Sequence, residues 1–146
     1  FSTAYSTTFG AEEIITSTTV KGGLLFAGCL MWIRFICHAT GTAATKQAVV
    51  RWNGGFALTN NSTKIAAHTV LQIEQLVWVT SNTIDWMMTD TSAEPLLVGT
   101  GLSNTTLRSL TVDHTTDAVL DWNVNCTSPD TMRYSFRNIL IQYPNT

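Results

Sequence analysis

One stretch constrains this chain more than any other. From Leu24 to Ala39 nearly every residue is apolar, whichever parity is counted. The odd positions Ala27, Cys29, Met31, Ile33, Phe35, Cys37 and Ala39 form one continuous apolar face if the run is extended. The even positions Gly28, Leu30, Trp32, Arg34, Ile36 and His38 form a second face that is also substantially apolar. A strand covered on one side only should alternate apolar with polar residues. The pattern therefore predicts a long central strand over 24–39 that is shielded twice, the second time by a flanking segment or a neighbouring subunit. Leu30, Trp32 and Ile36 are the candidate residues of an oligomer interface.

The rest of the chain carries the same period. Ile14 to Val20, Lys46 to Trp52, Val70 to Thr80, Thr83 to Thr89, Leu96 to Val98, Leu107 to Val112 and Leu120 to Cys126 all read as strands, rich in β-branched and aromatic residues. Turn signals separate them. Lys21-Gly22-Gly23, the small residues 39–45, Asn53-Gly54-Gly55, Ser81-Asn82 and Ser128-Pro129-Asp130-Thr131 each suit reversal of the chain. The stretch 39–45 is expected to close a hairpin. In the last strand the apolar parity changes between Phe136 and Ile139, which predicts a bulge near Asn138. Ile65 to Leu71 is the one weak helical candidate. Many short strands with frequent turns mean a sandwich or a barrel. The fold expected is all-β, a jelly-roll β-sandwich of about eight antiparallel strands, in one domain spanning residues 1–146.

Composition narrows the function classes. The chain has 146 residues, 45% hydrophobic and only 12% charged, with a net charge of -2. Thr, about one residue in six, carries much of the polar load and suits a half-buried pleated surface. No basic stripe points to nucleic acid. The longest apolar run, Leu24 to Cys37, is interrupted by Arg34 and is shorter than the ~18 residues of a spanning helix, so no membrane insertion is expected. Phe1 is not a start methionine, which suggests a processed product or the C-terminal part of a longer protein.

Catalytic and metal signals are weak. No G-x-S-x-G elbow occurs. His38, His68 and His114 are scattered without zinc-ligand spacing, and Asp113, His114 and Asp117 read as an ordinary polar turn. No enzyme, metal or cofactor is expected. Cys29 and Cys37, eight residues apart in one strand, would lie about 26 Å apart, far beyond disulfide reach. Cys29, Cys37 and Cys126 read as buried thiols. Among five tryptophans, Trp122 is in phase with an apolar face and reads as core. Trp52 beside Asn53, Trp78 out of phase with its strand, and Trp86 between Asp85 and Asp90 are the candidates for a binding surface, since an aromatic ring beside carboxylates and amides suits a sugar.

The segment Val20-Lys21-Gly22-Gly23 leading into a long strand, followed by a small-residue turn and a partner strand, resembles the jelly-roll domains of phage and virus virion proteins, of the tail-fibre, spike or capsid-surface type. The ending is similar too: Thr111-Val112-Asp113-His114-Thr115-Thr116, then Leu120-Asp121-Trp122-Asn123-Val124, then Tyr134 to Tyr143, read as a closing hairpin. The chain departs from the family in Ser128-Pro129-Asp130-Thr131-Met132 and in its cysteines and tryptophans. The resemblance implies a fibre or spike head, or a capsid-surface domain, on the virion exterior. Its partners would be further copies of itself, as a homotrimer, other virion proteins, and a host-surface glycan or protein. Two other readings share the β-sandwich: a carbohydrate-binding module of a secreted enzyme, and a secreted trimeric domain of the tumour-necrosis-factor or C1q type.

Overall fold

A computed structural model of the chain describes residues 5–6, 12–39, 46–58, 70–89, 105–126 and 131–145. Ten strands and no helix occur among them: β1 (Tyr5–Ser6), β2 (Glu13–Val20), β3 (Leu30–Ala39), β4 (Lys46–Trp52), β5 (Phe56–Ala57), β6 (Val70–Val79), β7 (Thr83–Thr89), β8 (Thr105–Thr111), β9 (Ala118–Cys126) and β10 (Thr131–Gln142). The count is ten rather than about eight, and two of the ten, β1 and β5, have only two residues each. All pairings are antiparallel. One sheet has the order β1-β10-β3-β6-β7-β8, the other β2-β9-β4-β5.

The two sheets enclose one core. Met31, Ile33, Phe35 and Cys37 of β3 are fully buried and belong to the same cluster as Ala48 and Val50 of β4 and Leu120, Trp122 and Val124 of β9. This is the odd-numbered face of the apolar run, and its period of two fixes the register of the central strand. Phe35 and Trp122 meet edge to face across the core, with centroids 5.1 Å apart.

Three expectations are corrected. The central strand begins at Leu30, not Leu24. Residues 21–29 form a loop, with Gly23 at φ 82 and Gly28 at φ 92. In it the Leu24 N–H donates to the Lys21 carbonyl and the Cys29 N–H to the Phe26 carbonyl. Positive φ breaks the extended conformation, so apolar content alone overstates the strand. Second, β3 and β4 do not pair as the expected hairpin, because they lie in different sheets; residues 40–45 between them lie outside the described residues. Third, β9 and β10 likewise do not pair: β9 sits between β2 and β4, while β10 sits between β1 and β3. Each carries an apolar face, and facing these across the core buries both.

The bulge in β10 falls between Tyr134 and Phe136, earlier than Asn138. It turns Phe136 outward opposite Ile36 and places Arg137, Ile139 and Ile141 opposite the buried Phe35, Ile33 and Met31. The expected strand Leu96 to Val98, the helical candidate Ile65 to Leu71 except the strand residues Val70 and Leu71, and His68 lie outside the described residues.

Candidate functional site

The hairpin joining β4 to β5 and the crossover joining β8 to β9 approach each other at one end of the sandwich. Asn53 and Gly54 adopt φ 48 and φ 69, and the Gly55 N–H donates to the Trp52 carbonyl over 3.1 Å. An Asn-Gly pair suits this turn because both residues tolerate the left-handed region. Asn53 also fastens the hairpin to β9: its N–H donates to the Val119 carbonyl (2.8 Å), and its Oδ1 accepts from the Val119 N–H (2.7 Å). Arg51 braces the far side, donating to both carboxylate oxygens of Glu12 over 2.5 and 2.6 Å and to the Gly55 carbonyl over 2.9 Å. The Glu12 carboxylate holds the Arg51 guanidinium still more firmly protonated than usual.

The crossover is built on Asp113. Its Oδ1 accepts from the Thr115 N–H (2.9 Å) and hydroxyl (2.6 Å), while its carbonyl accepts from the Thr116 hydroxyl (3.1 Å). These Thr115 donors hold the Asp113 carboxyl below its usual range, hence ionised. Neighbouring loops lock the crossover in place. The Val112 N–H donates to the Asn82 carbonyl and the Gly23 N–H to the His114 carbonyl. His114 Nε2 lies 3.0 Å from the Thr80 carbonyl. Lys21 pairs with Asp117 at 2.7 Å, and the Gly22 N–H donates to the same carboxylate. Between hairpin and crossover lies a cleft of about 300 Å³ whose lining includes Trp52, Asn53, Phe56, Leu110, Val112 and Asp113. Trp52 is buried, whereas the Phe56 ring is 56% exposed.

A second surface lies on the outer face of the six-stranded sheet. Leu140, Trp32 and Leu76 stand in one register row across β10, β3 and β6. The row on one side adds Leu30 opposite Trp78; on the other side the polar row Asn138–Arg34–Glu74 intervenes before Phe136 opposite Ile36. Trp32 is 44% exposed, Leu140 55%, Phe136 41% and Trp78 38%. Arg34 pairs with Glu74 at 2.7 Å within this face, and its guanidinium lies 5.9 Å from the ring centres of both Trp32 and Phe136. The opposite outer face behaves differently. There Val49, Asn123 and Asp121 are buried, and Asp121 accepts a hydrogen bond from Ser17.

The candidates thus divide among three places. Trp52 and Asn53 meet at the end cleft, although Trp52 shows only its edge. Trp78 joins Leu30, Trp32 and Ile36 on the apolar sheet face. Trp86 is 2% exposed and belongs to the core beside Ile84. It cannot present its ring to a receptor, because the period of β7 turns it inward while Asp85 faces out and accepts from Ser109 and Thr83. Phe56 and Asp113 were not expected at a binding surface. The Asp-x-Thr turn chemistry around Asp113 was visible, but its meeting with the Asn-Gly hairpin is a tertiary fact. Cys29 and Cys37 are buried free thiols, and burial pushes the Cys37 thiol far above its ordinary range. Among the described residues no cluster of His, Cys, Asp or Glu is arranged to hold a metal ion, and no helix is long and apolar enough to cross a membrane.

No family model matches the chain, and neither a curated protein nor a solved structure matches it.

Proposed function

We propose that this chain is a virion structural protein, a fibre or spike head or a capsid-surface domain, that assembles with copies of itself and meets a host surface or virion partner through its end loops. The observation that carries the proposal is the set of exposed apolar side chains on the outer face of the six-stranded sheet, Leu140, Trp32, Trp78 and Phe136, with the half-buried Leu76 in the row of Trp32. Fully burying a large apolar side chain contributes about 1.5–3 kcal/mol, and exposed patches of this kind mark interaction surfaces. With the charged share at 12%, little repulsion opposes the approach of like copies.

The strand order supports the jelly-roll part of the reading. The orders β1-β10-β3-β6 and β2-β9-β4-β5 have the form of two facing four-stranded units, with β7 and β8 added at one edge. In this reading rigid strands hold the loops at the ends, where specificity resides, and several copies multiply a weak contact into useful avidity. A trimer is the state the resemblance implies.

Sedimentation velocity over a range of concentrations tests this. A discrete oligomer, with a trimer expected, supports it; a monomer at every concentration sinks it. One observation favours a second reading. Trp32 and Trp78 lie exposed on one flat face, as in the aromatic platform of a carbohydrate-binding module. That reading requires a monomer whose tryptophan fluorescence responds to polysaccharide, a response lost in Trp32→Ala.

A further inference from the structure

The end cleft has a chemistry of its own, distinct from the apolar sheet face. Its walls are apolar: Leu110, Val112 and the half-exposed Phe56 ring. Its polar residues come from three elements: Thr111 from the end of β8, Asp113 from the crossover, and Asn53 from the hairpin. Apolar walls with a few placed polar groups, in a volume of about 300 Å³, describe the small end of small-molecule sites.

The charge in the cleft selects among ligands. Asp113 is ionised, and the described residues lining the cleft include no Lys, Arg or His. An anion is therefore repelled. Asn53 Oδ1 is already committed to the Val119 N–H, so what remains of its side chain for a ligand is the amide group, a donor. Asp113 accepts, Asn53 donates, the threonine hydroxyl does either, and the ring offers an apolar plate. A pyranose has hydroxyls that both donate and accept, and a C–H face that stacks on an aromatic ring. These groups are held before any ligand arrives, by the Asn53–Val119 pair and the Asp113–Thr115 turn, which lowers the ordering cost of binding.

We propose that this cleft binds a neutral saccharide, with the sugar's C–H face on Phe56 and its hydroxyls between Asp113 and Asn53. The proposal takes from the attachment reading only the source of the sugar, a host-surface glycan.

The test is saturation-transfer NMR of the whole chain with the methyl glycosides of glucose, galactose, mannose and N-acetylglucosamine. At least one is expected to bind. Phe56→Ala, which removes an exposed ring, and Asp113→Asn, which leaves an oxygen for Thr115, should each weaken it about tenfold, whereas Trp32→Ala should leave it unchanged. Silence from all four glycosides overturns the proposal, and so does wild-type affinity in Phe56→Ala. Sedimentation of the same samples keeps the two readings apart. An oligomer that ignores sugar removes the cleft alone, and a monomer that binds sugar removes the assembly alone.

Discussion

The Phe35 ring of β3 stands edge-on to the Trp122 ring of β9, at 62° and 5.1 Å between centroids, and this contact joins the two sheets at the centre of the core. Both side chains are fully buried. The indole N–H of Trp122 is also satisfied, donating to Thr18 Oγ1 over 3.1 Å. Trp122→Ala should destabilise the fold by about 3–5 kcal/mol. A double-mutant cycle with Phe35→Leu, read by urea unfolding, should return about 0.5–1.5 kcal/mol of coupling. Additivity would mean the rings do not recognise each other.

Leu140 lies opposite Trp32 on the outer face, where both are exposed. Leu140→Lys places a charge in that row without disturbing the core. Compared at a dilution where both proteins are monomeric, its unfolding free energy should stay within about 0.5 kcal/mol of wild type, while at higher concentration sedimentation should show monomer where wild type is an oligomer. A variant that stays fully assembled would place the interface elsewhere.

Gly22 and Gly23 are adjacent but constrained differently. A Cβ on Gly22 would be driven into the Thr115 carbonyl. One on Gly23 would meet nothing within 4 Å, yet its φ is 82. Gly22→Ala should cost about 1–3 kcal/mol through backbone displacement. Gly23→Ala should cost about 1–2 kcal/mol through the left-handed conformation alone. Thermal melts order the two, and a neutral Gly22→Ala would refute the close approach of the 21–23 loop to the crossover.

The carboxyls of Asp113 and Asp117 both sit below the ordinary value of 3.8, the first through Thr115 donors, the second through Lys21 and the Gly22 N–H. A depressed folded-state pKa stabilises the fold above the unfolded value, and that contribution is lost as pH falls through the folded one. Both groups are exposed, so the effect should be modest and confined to acid, below the ordinary carboxylate value. Melting midpoints should fall there and hold steady above it. Asp117→Asn should flatten the acid limb, and a limb of unchanged slope would exclude the Lys21–Asp117 contact as its source.

Burial closes Cys29 and Cys37 to reagents, and at Cys37 it also disfavours the nucleophilic thiolate. Iodoacetamide should leave both unlabelled in native buffer and modify both in denaturant, as read by peptide mass mapping. Rapid native labelling of Cys37 would contradict its place opposite Tyr134 and Leu71.

Local signals were legible where one residue type forces one conformation or one face. The strand Lys46–Trp52 and the Asn53-Gly54 turn appear with the boundaries their residues dictate. Trp78, out of phase with its strand, does face outward, while Ile73 and Val77 on the other parity are buried. The signal failed at Leu24 to Cys29, where apolar content suggested strand but Gly28 takes a positive φ. It failed again for Trp86, whose acidic neighbour Asp85 says only that the next position faces out.

The order of residues along the chain determined the all-β class and which face of each strand is apolar, because a period of two is a property of adjacent residues. Pairing was decided only in three dimensions. Nothing local in β9 and β10 tells whether two strands joined by a turn share a sheet or face each other across a core, since both arrangements bury the same side chains. Nor could the chain order reveal that Phe56 and Asp113, 57 positions apart in the sequence (113 − 56 = 57), would frame one cleft. That juxtaposition follows from the packing of two sheets and from the hydrogen bonds that clamp their end loops together.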